Sequence, residues 1–311
     1  MTGPEPMKGV LAPVVTPFRD DLSPDADRLV EQCRFLLAAD CGLAVFGTNS
    51  EGNSLSIEER IDLIDQLLDA GIDPARMMPG TGACAIPDAV RLTRHVAERG
   101  CGGALVLPPF YYKGVSDEGL YRSLAEIIER CGDARTRIYL YHIPPIAHVG
   151  FPLPVIERLV RDYPTAVVGM KDSSGDKANA RAVCAALPGW AFFAGNETFL
   201  AEALGFGAVG TISAACNINP AGIVGLYDHW QADDAAARQA RCNEIRGAFG
   251  KYFMISAMKA AIAEARGAPS WRRVRPPLLP LGDAERAALI GDLAAIGFDL
   301  SSLEARAPQP A

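Results

Sequence analysis

The segment Ala166-Val-Val-Gly-Met-Lys-Asp-Ser-Ser174 carries a run of β-formers straight into an ammonium group, then breaks into a short polar turn. A strand of that composition is usually buried on both faces, as in a parallel sheet covered by helices. Such a strand rarely ends on a lysine. Desolvation lowers the pKa of a lysine and frees the neutral amine to attack a carbonyl, which makes Lys171 a candidate for Schiff-base chemistry. By itself it is equally a lysine marking the solvated end of a strand. Strand alternation puts Lys171, Gly169 and Val167 on one face, and Gly169 is expected to leave open space beneath the amine.

On either side of this strand the chain alternates strands and helices. Further short runs of aliphatic and aromatic residues, closed by Gly, Pro, Ser, Thr or Asn, predict strands at Val10–Phe18, Leu43–Asn49, Met77–Gly82, Ala104–Pro108, Arg137–Ile143, Ala191–Gly195 and Ala208–Ser213. Helical spacing lies between them. Ile57, Ile61, Ile64 and Leu68 recur at helical intervals, and Ser56 with Glu59 has the form of a capping box. Eight strands alternating with helices predict an α/β fold, a (β/α)8 TIM barrel. The competing doubly wound sheet would carry G-x-G-x-x-G after its first strand, and only the fragment Gly80-Thr-Gly82 occurs, elsewhere.

Beyond Pro220 the strands stop. Helical patterns continue through Gly222–Asp233, Asp234–Gly250, Tyr252–Ala265 and Asp283–Ala295, with a proline-rich crossing at Arg275-Pro-Pro-Leu-Leu-Pro280. The expected organisation is a flexible N-terminus over 1–9, the barrel over 10–232, a small C-terminal helical appendage over 233–305, and a flexible tail over 306–311.

Composition narrows the functional classes. A formal net charge of −7 argues against a nucleic-acid partner, because phosphate binding needs a basic surface. No apolar run approaches the roughly 20 residues of a membrane helix, and the first residues do not form a secretory signal. The eight cysteines are scattered without a C-x-x-C pair, which suggests neither zinc nor a disulfide framework and fits a reducing cytoplasm. Four histidines (His95, His142, His148, His229) leave little for a metal centre.

In a barrel of this kind chemistry collects at the C-terminal ends of the strands. There the chain places Gly47-Thr-Asn-Ser-Glu51, Pro109-Phe-Tyr-Tyr112, Tyr139-Leu-Tyr141, Lys171-Asp172, Gly195-Asn-Glu197 and Ser213. The Gly47–Glu51 turn offers successive N–H groups as an anion nest, with hydroxyls free to relay protons; it also reads as an ordinary strand-to-helix turn. Tyr141 shares a face with Tyr139, whereas His142 should face the helix layer as a structural histidine. The role of His148 stays open.

Together these residues resemble the dihydrodipicolinate synthase / N-acetylneuraminate lyase family of class I, Schiff-base aldolases. The resemblance runs from Val14-Val-Thr-Pro-Phe18 to the Arg275–Leu281 crossing. It is carried by Gly47-Thr-x-x-Glu51, Pro109-Phe-Tyr-Tyr112 with Glu118-Gly-Leu-Tyr121, Tyr141-His-Ile-Pro144, Val168-Gly-Met-Lys-Asp172 and Ala194-Gly-Asn-Glu197. It implies that Lys171 forms the imine with a 2-oxo acid, usually pyruvate, with Tyr141 as proton shuttle. It also implies that Thr48 links Tyr141 to a tyrosine from a neighbouring subunit, Tyr111 or alternatively Tyr112. The amides of Thr48 and Asn49 would hold the pyruvate carboxylate, and Gly195, Asn196, Glu197, Ile212 and Ser213 complete the substrate-binding set. No metal or organic cofactor is implied, and a homo-oligomer (dimer or tetramer) is.

Two departures bear on the substrate. Positions 49 and 50 are Asn and Ser where the family more often shows Thr-Gly. More important, true dihydrodipicolinate synthases carry an arginine five residues after the shuttle tyrosine. Here Ile146 stands at that spacing, in Pro144-Pro-Ile-Ala-His-Val-Gly150, and no arginine follows until Arg158. The loop is more like those of relatives that handle sugar acids or other 2-oxo acids, and Asn196 with Glu197 matches where the sialic acid lyases hold a polyhydroxylated tail. The expectation is therefore reversible aldol cleavage of a 4-hydroxy-2-oxo or 2-oxo-3-deoxy acid. The alternatives are a dihydrodipicolinate synthase with an unusual semialdehyde site, a 2-oxo-3-deoxy acid dehydratase, and, remotely, a non-catalytic 2-oxo acid binding protein.

Overall fold

The computed structural model describes residues 5–304. Its parallel strands are β1 (Gly9–Ala12), β2 (Gly42–Leu43), β3 (Ala104–Val106), β4 (Ile138–His142), β5 (Val167–Asp172), β6 (Ala191–Ala194) and β7 (Gly210–Ile212). Their order is β2-β1-β7-β6-β5-β4-β3. The segment predicted as a strand at Met77–Gly82 runs between the two edges, with single parallel bridges Leu43–Met77 and Gly80–Leu105. Met78 N–H donates to Leu43 O and Gly80 N–H to Val45 O, both at 2.7 Å, while Leu105 N–H donates to Pro79 O at 2.9 Å. The sheet thus closes into a barrel. Pro79 lacks the N–H that a continuous ladder would need, so the eighth strand is reduced to bridges.

The other strands are trimmed at their ends, and β1 and β2 fall furthest short of prediction, for visible reasons. Pro13 ends β1; beyond it Val15 N–H donates to Asn217 Oδ1 at 3.1 Å, and Asn217 Nδ2 donates to Pro13 O at 3.0 Å. Sheet-like bonding after β2 persists to Val45, then Phe46 takes a φ of 61° and turns the chain into the Gly47–Glu51 turn. Gly80 is required beside it, since a Cβ there would stand 2.8 Å from the Phe46 carbonyl carbon.

The helices around the barrel are α1 (Ala26–Ala38), α2 (Ile57–Asp69), α3 (Ile86–Glu98), α4 (Asp117–Cys131) and a short α5 (Pro144–Ala147). They continue with α6 (Leu153–Asp162), α7 (Lys177–Ala186), α8 (Leu200–Gly205) and α9 (Pro220–Asp228), which packs on β1. After it come α10 (Ala235–Gly250), α11 (Met254–Ala265) and α12 (Asp283–Ala295), and α11 reaches the turn at Thr48–Ser50. The capping box of α2 is formed by Ser56 and Glu59. Its buried stripe, however, is Arg60, Leu63, Ile64 and Leu67, rotated from the predicted one. Arg60 is drawn inward because its guanidinium donates to Gly82 O (3.3 Å) and Leu55 O (3.5 Å). Among the described residues no helix is long and apolar enough to cross a membrane.

The expected flexible N-terminus does not extend to residue 9. Met7 N–H donates to Tyr139 Oη at 2.6 Å, and Gly9 already belongs to β1. The expected flexible tail, 306–311, lies outside the described residues.

Two apolar cores are concentric. One packs the helices on the barrel wall; the other fills the barrel with side chains that include Leu11, Leu105, Tyr139, Tyr141, Phe193 and Ile212. The pairing of β4 with β5 slips between Ile138 and Tyr139, which pair with Val167 and Gly169. This bulge puts Val168 in the inner core and Val167 in the outer one, correcting the expectation that Val167 shares the Lys171 face. Nor is there open space at Gly169. A Cβ there would meet the Ala191 carbonyl oxygen and stand 2.7 Å from the Tyr139 ring, so the glycine makes room for that ring.

Candidate active site

Register brings the chemistry together. Tyr141 on β4 pairs with Lys171 on β5, so the two side chains rise from one rung into the same end of the barrel. Both are buried. Lys171 Nζ donates to Tyr141 Oη at 3.2 Å and lies 4.3 Å from that ring's centroid. Thr48 Oγ1 stands 3.2 Å from the same Tyr141 Oη. One hydroxyl therefore joins the amine to the turn after β2, an arrangement suited to moving a proton at a group bound on Lys171.

Thr48–Ser50 is a 3₁₀ turn, so the amides of Thr48 and Asn49 have no carbonyl partner within it and can face an anion. The turn is pinned at its far end. Thr16 Oγ1 donates to Ser50 O at 2.6 Å, and Glu51 follows in the left-handed region at φ 54°. Glu51 is buried against Lys259 of α11, whose Nζ donates to Glu51 Oε1 and, at 2.7 Å, to Arg273 O. The Arg275 N–H donates to Glu51 Oε2 at 2.9 Å. Sequence reading missed the role of Lys259, although a lysine between Met258 and Ala260 in the mostly apolar stretch 254–263 is a visible signal.

The remaining expected positions are placed as follows. Gly195 N–H donates to Asp172 O at 2.7 Å, next to the lysine strand. Asn196 Oδ1 accepts from Thr198 N–H at 3.0 Å and so serves as a cap. Glu197 is wholly buried; Ser213 Oγ donates to its Oε2, and Arg246 lies 3.3 Å from the same oxygen. Ile212 packs in the barrel core. Tyr111 and Tyr112 are each 72% exposed and meet edge to face with ring centroids 5.3 Å apart.

His142 faces the helix layer, as expected from alternation. Its Nδ1 accepts from Phe151 N–H at 2.9 Å, and burial holds the imidazole below its ordinary value while the Asp172 charge opposes that shift. His148 is exposed at the C-cap of α5 with φ 53°. Ile146 is 60% exposed on the same loop. Arg158 is committed elsewhere, to Glu118 at 2.5 Å and to the Tyr121 ring at 3.5 Å. Lys113 does reach the loop, donating to Ala147 O at 3.0 Å. Among the described residues no group of three or more His, Cys, Asp or Glu could hold a metal ion.

The chain is similar to known proteins along nearly its whole length. Residues 6–296 match the model of the dihydrodipicolinate synthetase family. An uncharacterised DapA-like lyase of Chloroflexus aurantiacus is 33% identical over 290 residues, covering 91% of this chain and 94% of that one. A 4-hydroxy-tetrahydrodipicolinate synthase of Thermus thermophilus is 32% identical, covering 88% of this chain and 91% of its own. The crystal structure of dihydrodipicolinate synthase from Agrobacterium tumefaciens superposes with a TM-score of 0.86 at 28% identity, covering 93% and 99% of the two chains.

Proposed function

The chain belongs to the dihydrodipicolinate synthetase family and is a lyase of that family, and on that premise we propose that it cleaves a 4-hydroxy-2-oxo or 2-oxo-3-deoxy acid reversibly to pyruvate and an aldehyde through an imine on Lys171. The observation that carries this reading is the single hydroxyl, Tyr141 Oη, within 3.2 Å of both Lys171 Nζ and Thr48 Oγ1. The neutral amine adds to the C2 carbonyl and water leaves. The protonated imine then accepts the electron pair of the breaking C3–C4 bond, giving an enamine and the aldehyde. Tyr141 takes the C4 hydroxyl proton and Thr48 passes it on. Protonation at C3 and hydrolysis release pyruvate and return the lysine. The amides of Thr48 and Asn49 hold the carboxylate, and Tyr111 completes the relay from a second subunit of a homo-oligomer.

Ile146 favours a neutral, polyhydroxylated aldehyde half over aspartate semialdehyde. Where an arginine would clamp a second carboxylate, the loop presents an exposed isoleucine. Loss of a bidentate, charge-assisted contact costs about 1.5–3 kcal/mol, or roughly ten- to hundredfold in affinity. Ser213 and Arg246 both hold Glu197 Oε2, which leaves its buried Oε1 without a partner among the described residues and open to a hydroxyl of a polyhydroxylated tail. The test compares kcat/KM for pyruvate release from a panel of 2-oxo-3-deoxy sugar acids with that for condensation of pyruvate and L-aspartate semialdehyde. At least one sugar acid is expected to exceed the semialdehyde. The reverse ranking, abolished by Lys113→Ala, would instead assign the synthase reaction, with Lys113 as the missing cation.

A further inference from the structure

The Thr48 turn is held by residues far away in sequence. Lys259 and Glu51 are 208 residues apart and both side chains are fully buried. Every strong polar atom of the pair is used. Glu51 Oε1 takes Lys259 and Oε2 takes the Arg275 amide, while Lys259 Nζ also donates to Arg273 O and lies 4.6 Å from the Phe18 ring centroid. The Arg275 guanidinium extends the clamp to Glu59 at 2.5 and 2.8 Å and to Ser54 O at 2.6 Å.

A buried ion pair is a weak source of stability, because desolvation of both charges offsets their attraction. Burial indeed lowers Lys259 to about 8, against the pull of Glu51. Its value lies in geometry. Glu51 holds a left-handed backbone, which is strained for a non-glycine residue and persists only where its surroundings dictate it. That residue directly follows the turn carrying Thr48, whose hydroxyl must stay within reach of Tyr141 Oη.

Resting on the lyase reading above, we infer that Glu51, clamped by Lys259 and the Arg275 amide, is a positioning residue for Thr48, which makes the C-terminal helical part a working part of the active site. The helix α11 then acts as a strut that sets one side of the proton relay. A displacement of about 1 Å at such a relay is enough to cost two orders of magnitude in rate.

The test uses the full chain and pyruvate alone. Imine formation, removal of a C3 proton to give the enamine, return of a deuteron from D2O and hydrolysis exchange the methyl hydrogens of pyruvate, which NMR follows; borohydride reports the imine separately. Glu51→Gln should exchange at least tenfold more slowly at saturating pyruvate while Lys171 is still trapped. The double variant Glu51→Gln/Lys259→Met leaves no unpaired buried charge and should recover thermal stability yet stay slow in exchange. Arg266→Gln, which removes the link from the end of α11 to Glu31 and Gln32, should lower Tm while exchange stays within twofold of the wild type. Recovery of exchange in the double variant, near-wild-type exchange in Glu51→Gln, or an equal loss in Arg266→Gln would overturn the inference. A wild type that neither exchanges nor traps pyruvate would remove the lyase reading itself, and the inference with it.

Discussion

Tyr141 Oη has two neighbours at 3.2 Å, a lysine amine and a threonine hydroxyl, and it gains both because strand register and turn placement converge on it. Tyr141→Phe keeps the ring beside Lys171 and removes only the proton path. Pyruvate trapping should survive while turnover falls about 10²-fold or more, as expected for loss of a general acid–base group; near-normal kcat would reassign Tyr141 to packing. His142, one residue on, faces the opposite way and is read out by stability. Burial holds its pKa below 6.5 in the folded chain, so the unfolded chain binds the proton more readily. Stability is therefore lost as pH falls through about 6.5, and the loss levels off below the folded value. His142→Asn keeps an acceptor for Phe151 N–H without titrating, so its Tm should fall less than that of the wild type between about pH 7 and about pH 5. Parallel falls would show that His142 is not a source of that dependence. Lys171, Tyr141 and Thr48 were legible because each ends a local pattern. Lys259 stands out in its apolar stretch, but its pairing with Glu51 was not legible, since nothing local to either residue announces a partner 208 positions away.

At the scale of elements, the alternation of strands and helices was readable, whereas the strand limits depended on single residues. Pro13, Phe46 and Pro79 each end or interrupt a run that composition alone would continue. The bulge at Val168 was hidden as well, because it arises from how β5 meets β4 and not from either strand. It places Gly169 against the Tyr139 ring, below the rung that carries Lys171 and Tyr141. Gly169→Ala would press a methyl group onto the Ala191 carbonyl and the ring, neither of which can move freely. Overpacking of this kind costs about 1–3 kcal/mol. We expect a drop of several degrees in Tm and slower exchange of pyruvate hydrogens, since the strain sits directly beneath the amine. An unchanged Tm would mean that the β4–β5 pairing tolerates a side chain there.

Across the whole molecule the barrel brings the ends of β4 and β5 and the turn after β2 together, and α11 of the C-terminal helices packs against that turn. The two tyrosines at 111 and 112 stand largely exposed at 72% each, and a place for either of them in the proposed relay rests on the family pattern alone. The proposed mechanism turns on one nucleophile, Lys171. Its most direct test is reduction with borohydride in the presence of pyruvate, followed by peptide mapping. The predicted result is a reduced pyruvyl adduct on Lys171 alone, lost in Lys171→Ala and equally in Lys171→Arg, whose guanidinium stays protonated and cannot attack a carbonyl. An adduct on Lys113, Lys177, Lys251 or Lys259 instead, or none on the wild type, would contradict it.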